Sequence, residues 1–273
     1  MDHLSEPELA SVAALLSDER LGTFERFTGS RRSAIALHQA MLRLAASLMT
    51  VTAVVEIALR NAVCAQLTDH FQTPDWLRMP PAPFQWDNEL KAKILQADAS
   101  ARKTAYAKMN LDVRQQLDRR AFCGGIAPHG LAYEHILRAR QKVVSVSMGQ
   151  LVVQLTLYFW KRLFSTSYEH TLWRPALKHV FPDKSVSRAL VASHLEALYQ
   201  TRNRIAHHEP VYGHRLQQAE AAIDFIARCL WRGDIKGATP LEKLLQAEMT
   251  ELRTRAESAN RILAMRVPPA RPH

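Results

Sequence analysis

SAIALHQAMLRLAASLMTVTAVVEIALRNAVCAQLTDHF, running from Ser33 to Phe71, is the stretch from which the architecture follows. Leu37, Met41, Leu44, Leu48, Val51, Val55, Ala58, Ala62 and Cys64 recur mainly at intervals of three and four, and neither Gly nor Pro interrupts them. That pattern predicts one very long helix, or two joined end to end, spanning about 60 Å at ~1.5 Å per residue. Gln72-Thr73-Pro74 closes it, and Pro80, Pro81 and Pro83 prolong an irregular connection.

The remainder agrees with an all-α chain. Only nine glycines occur in 273 residues, and short alternating β-branched runs are scarce. Helical spacing is expected over 87–110, 111–121, 135–165, 185–209, 216–230 and 241–265. The final Pro268–His273 is expected to fray. Cys123-Gly124-Gly125-Ile126-Ala127-Pro128-His129-Gly130 is the clearest loop, read as a hinge or lid between an N-terminal helical layer, 1–130, and a second region, 131–232. A C-terminal helix and tail, 233–273, complete one structural unit.

Composition narrows the function. The net charge of +10 favours polyanionic partners, although Lys and Arg are scattered and form no polybasic tail. Cys64, Cys123 and Cys229 are far apart without CxxC pairing, which points to reduced thiols in a cytoplasm rather than a disulfide frame or zinc ribbon. Cys123, His129 and His135, spread around a glycine loop, fall short of metal-ligand spacing, so no metal and no cofactor are expected. No run of uninterrupted apolar residues approaches membrane-spanning length, and the N-terminus lacks the build of a signal peptide, so no membrane partner is expected.

Chemistry concentrates in Arg202-Asn203-Arg204-Ile205-Ala206-His207-His208-Glu209-Pro210. Imidazoles move protons near neutral pH, and guanidiniums grip phosphoryl oxygens with a forked donor set. Pro210 should end the helix near His208, placing both histidines in its last turn. At about 100° per residue, Asn203 shares a face with His207 and Arg204 with His208, while Arg202 stands about 140° from His207. One chain then holds half a site, and two copies facing each other across a dimer axis complete it. Glu56, Arg60 and Asn61 form a second polar cluster in the long apolar helix, either a register-fixing ion pair or an RNA contact supporting the first.

Arg202-Asn203 followed by His207 resembles the arginine, polar residue and histidine signature of HEPN ribonuclease domains. Around it stand Phe159-Trp160, Tyr168, Leu172-Trp173-Arg174-Pro175-Ala176-Leu177, Phe181-Pro182 and Leu195-Glu196-Ala197-Leu198. Earlier come Arg20-Leu21-Gly22-Thr23-Phe24 and Val55-Glu56-Ile57-Ala58-Leu59-Arg60-Asn61-Ala62. This ordered series is similar to the Abi-like (abortive-infection) family of bacterial HEPN proteins, over about residues 15–230.

The resemblance implies an elongated helical bundle of HEPN type, with long antiparallel helices and additional N- and C-terminal helices. It also implies a homodimer, and a metal-independent endoribonuclease of a phage-defence or toxin-antitoxin system, with an antitoxin protein or RNA as a further partner. In that scheme His207 draws the proton from a ribose 2′-hydroxyl, Arg202 steadies charge on the phosphoryl oxygens, and Asn203 is the polar companion; His208 assists. Arg204, Glu209 and the Glu56, Arg60, Asn61 cluster support RNA binding. The alternative is an RNA-binding or scaffold protein that uses the same groove without cleavage.

Overall fold

With no helix breaker between Arg31 and Phe71, the chain winds there into a single helix of 41 residues. It ends where Gln72 turns into the left-handed region (φ 53°) ahead of Pro74. The computed structural model describes residues 3–233 and 237–264, and among them helix accounts for the regular structure, with no strand. The protein is all-α. The expected fraying of 268–273 lies outside the described residues.

In chain order the helices are α1 (Glu6–Leu16), α2 (Asp18–Thr28), α3 (Arg31–Phe71), α4 (Asn88–Ala107), α5 (Leu111–Gln116), α6 (Asp118–Ala121) and α7 (Tyr133–Lys142). There follow α8 (Met148–Val152), α9 (Leu157–Arg162), α10 (Arg188–Ala206), α11 (His214–Cys229), α12 (Pro240–Leu244) and α13 (Gln246–Ala264). Short 3₁₀ and π turns fill Thr166–Val180 between α9 and α10.

Two compact units emerge: residues up to Asn61 together with those from Phe181 onward, and residues Ala62–Val180. These bounds differ from the divisions at 130 and 232 read from the glycine loop and the helical spacing, and α3 begins in one unit and ends in the other. In the first unit α10 packs along α11, α1 against α2, and α13 against α2. Buried in this unit are Leu44, Leu48, Val51 and Val55 of α3, Val191, Leu195 and Leu198 of α10, and Ile223 and Ile226 of α11.

Aromatic packing dominates the second unit. Trp76, Phe84, Trp86, Phe159 and Tyr168 touch in edge and tilted pairs with ring centroids 4.8–6.2 Å apart, geometry that suits the ring quadrupoles. A smaller cluster of Tyr106, Leu117 and Val144 packs at the other end of α4. Beside it Arg140 forks onto Asp118, Nε to Oδ1 at 2.6 Å and Nη2 to Oδ2 at 2.7 Å. That pair clamps α6 to α7, so the glycine loop 123–130 lies inside one unit and is not a hinge between layers.

The expected helix over 135–165 is three helices, α7, α8 and α9. Val143, Val144 and Val146 disfavour helix by crowding χ1. Ser147 then restarts the helix with a capping box, its hydroxyl accepting from Gln150 N at 3.2 Å while Gln150 Oε1 accepts from Ser147 N at 2.7 Å. Likewise 111–121 divides into α5 and α6, and 241–265 into α12 and α13.

Of the described helices, α3 alone is long and apolar enough to cross a membrane by length and composition. This is compatible with the lack of an uninterrupted apolar run of that length, because Ser47, Thr50 and Thr52 interrupt the run without lowering its mean hydropathy much. The same helix buries a stripe from Leu37 to Leu67 inside the protein.

Candidate functional site

Helix α10 starts at Ser187, whose hydroxyl accepts from Leu190 N at 3.1 Å. Val191, Leu195, Leu198, Thr201 and Ile205 form its buried stripe. That register leaves Arg202, Asn203 and Arg204 half-buried on its flanks and delivers His207 and His208 to solvent.

The helix ends at Ala206, and the two histidines build its terminus rather than its last turn. His207 is the last near-helical residue (φ −95°), and His208 takes the left-handed conformation (φ 56°). Glu209 N then donates to Arg204 O at 2.8 Å and His208 N to Ile205 O at 2.9 Å, the paired bonds of a Schellman terminus. Pro210 forbids continuation. The left-handed step also turns His208 off the helical path, so the expected shared face of Arg204 and His208 does not exist.

Three contacts hold this corner. Arg204 Nη1 pairs with Glu209 Oε2 at 2.9 Å. From α2, Arg20 Nη1 donates to the His208 carbonyl at 3.2 Å. Phe27 of α2 meets Tyr212 edge-on, with centroids 6.4 Å apart. A glycine then admits α11: Gly213 sits at φ 58°, ψ −137°, a region closed to side chains, and a Cβ there would meet no neighbour, so the constraint is the backbone's own.

Between α2, the corner and the start of α11 lies a cleft of about 780 Å³. His207, His208 and His214 line it with Arg20, Arg204 and Arg215; its acids are Glu19 and Glu209. Behind Arg20, buried Phe24 packs edge-on against His38 with centroids 5.8 Å apart. His38 is only 5% exposed, and neither of its ring nitrogens has a hydrogen-bond partner. Burial, and then the charge of Arg20, push its pKa down, so the ring is a neutral wall of the core.

Arg202 and Asn203 do not line this cleft. Arg202 faces α3, where its charge acts on Glu56. Burial raises the Glu56 pKa, and Arg202 and then Arg60 pull it back. Glu56 and Arg60 are thus electrostatic neighbours without a close ion pair, and the Arg60 Nε is buried without a hydrogen-bond partner. Asn61 is exposed. The described residues therefore place Arg204, His207, His208 and Glu209 in one cleft, and Arg202 with Glu56 and Arg60 in a neighbouring charge cluster.

Arg20, His214 and Arg215 were not among the sequence candidates. His214-Arg215 follows the motif by a few residues, and the intervening Gly213 was the available sign of a sharp return. Arg20 is 188 positions from His208, and no local pattern links them. Among the described residues no group of three or more His, Cys, Asp or Glu is placed to hold a metal ion.

Compared with protein-family models, with curated proteins and with solved structures, the chain matches none.

Proposed function

We propose that this chain is an endoribonuclease of the Abi-like, HEPN type, acting in the cytoplasm as part of a phage-defence or toxin-antitoxin system. One observation carries the reading: two adjacent imidazoles, His207 and His208, share a cleft with three guanidiniums. One imidazole takes the proton of a ribose 2′-hydroxyl as that oxygen attacks the adjacent phosphorus. The guanidiniums stabilise the charge building on the non-bridging oxygens. The 5′-oxygen leaves with a proton supplied by an acid, and the upstream fragment keeps a 2′,3′-cyclic phosphate. None of these steps calls on a metal ion.

Arg202 enters through a homodimer, in which a second copy presents it to the cleft that its own chain's Arg202 does not line. Incubation with RNA in EDTA, followed by mass spectrometry of the ends, tests the chemistry. Cyclic phosphate on the upstream product and intact DNA of the same sequence are expected; 5′-phosphate and 3′-hydroxyl ends, or equal loss of DNA, contradict it.

The separation of Arg202 from its own chain's cleft favours a second reading, an RNA-binding or scaffold protein that grips RNA without cutting. Binding without cleavage by the dimer would establish it.

A further inference from the structure

We infer that Arg20, in α2, grips an RNA phosphate beside His207. The inference rests on the reading that the cleft binds RNA, and it adds a residue outside the 202–208 motif.

Arg20 is exposed and lines the cleft, yet it is anchored, one N–H donating to the His208 carbonyl at 3.2 Å. A guanidinium carries five N–H donors in a rigid fork, so the anchor orients the group and leaves the others for an anion. The surrounding charges point the same way. Of the cleft's three arginines, Arg204 is paired with Glu209 at 2.9 Å, as Arg31 is with Glu25 at 3.1 Å and Arg32 with Glu6 at 2.8 Å. Among the described residues Arg20 and Arg215 have no ion pair, and of these two Arg20 is the one anchored on the His208 carbonyl. Phe24 and neutral His38 stand behind it, an apolar backing that screens its charge less than water does. A phosphodiester oxygen fits this position, because the fork can take two oxygens of one phosphate while the imidazoles face the adjoining ribose.

The test uses the full-length protein and a fluorescent single-stranded oligoribonucleotide carrying 2′-O-methyl riboses, which cannot be cut. Affinity is measured across a salt series for wild type, Arg20→Lys and Arg20→Gln. Glutamine can still donate to the His208 carbonyl but carries no charge, and thermal melting of each variant reports the corner's integrity. Arg20→Gln is expected to bind about tenfold more weakly, with the slope of log K against log salt shallower by about 0.7. Arg20→Lys is expected to keep the slope while losing part of the affinity, since an ammonium lacks the fork.

A parallel assay with unmodified RNA separates the two claims. If wild type cuts RNA and Arg20→Gln binds and cuts equally well, the role of Arg20 is wrong and the nuclease reading stands. If Arg20→Gln loses binding as expected but wild type never cuts, Arg20 stands and the nuclease reading falls. If wild type binds no RNA, both fall.

Discussion

Arg204 and Glu209 clasp each other at 2.9 Å across the corner that ends α10, with left-handed His208 between them. Schellman termini commonly join these two positions by an apolar contact. Here an ion pair replaces it, so this link across the corner that carries both histidines is polar and open to solvent.

Because both partners are substantially exposed, the clasp should contribute little to stability. A double-mutant cycle with Arg204→Ala and Glu209→Ala, read by urea unfolding, is expected to give a coupling of about 0.5 kcal/mol. A coupling several times larger would mean that the pair is shielded from water.

His208 occupies a position where glycine is usually found. His208→Gly removes a side chain from a left-handed residue and should stabilise the fold by up to about 1 kcal/mol, and RNA cleavage should fall if His208 assists the chemistry. Equilibrium unfolding and a cleavage time course measure the two effects separately. Destabilisation by His208→Gly would show that the imidazole itself holds the corner.

Acid should loosen the 62–180 unit through two carboxylates. The hydrogen bond from Arg140 holds the Asp118 carboxyl below the usual range. Burial opposes ionisation of Asp98, but hydrogen bonds from Arg102 and Arg78 outweigh it and lower its pKa. A carboxyl whose folded pKa lies below its unfolded value of about 4 stabilises at higher pH. That contribution is lost as pH falls through the depressed values. Trp76, Trp86, Trp160 and Trp173, four of the five tryptophans, lie in this unit and make intrinsic fluorescence its reporter. Asp118→Asn strips Arg140 of its counter-charge and is expected to cost about 3 kcal/mol at neutral pH, with a flatter acid dependence than wild type.

Glu56 has the opposite sign. Its pKa is raised in the fold, chiefly by burial, so wild type should lose stability as pH rises from the ordinary glutamate range towards that raised value. Glu56→Gln should remove this slope and match wild type only in acid. It also releases Arg202 from a carboxylate neighbour, so RNA affinity is expected to rise by about two- to fivefold at low salt. Urea unfolding across pH and RNA binding by anisotropy check the two outcomes.

The long helix was legible because its signal is local: a periodic apolar stripe without Gly or Pro needs no distant partner. Pro210 likewise marks the end of α10 in plain view. The breaks within 135–165 were hidden because Leu, Val and Tyr at helical spacing persist through them, and the capping box at Ser147 and Gln150 required polar side chains to be read as punctuation. The histidine corner was legible as chemistry but not as geometry, since nothing in His207-His208 announces a left-handed turn. Arg20 was legible only as part of a resemblance. Its role depends on α2 and α10 meeting across most of the chain's length, which is tertiary information.

Cleavage of single-stranded RNA in EDTA by wild type and by His207→Ala, matched for folding by circular dichroism, tests the central claim most directly. Wild type should produce 2′,3′-cyclic phosphate ends, and His207→Ala should be slower by at least about 100-fold while binding uncleavable RNA nearly as well. Equal cleavage by the two proteins, or RNA binding by wild type with no cleavage at all, would contradict the account.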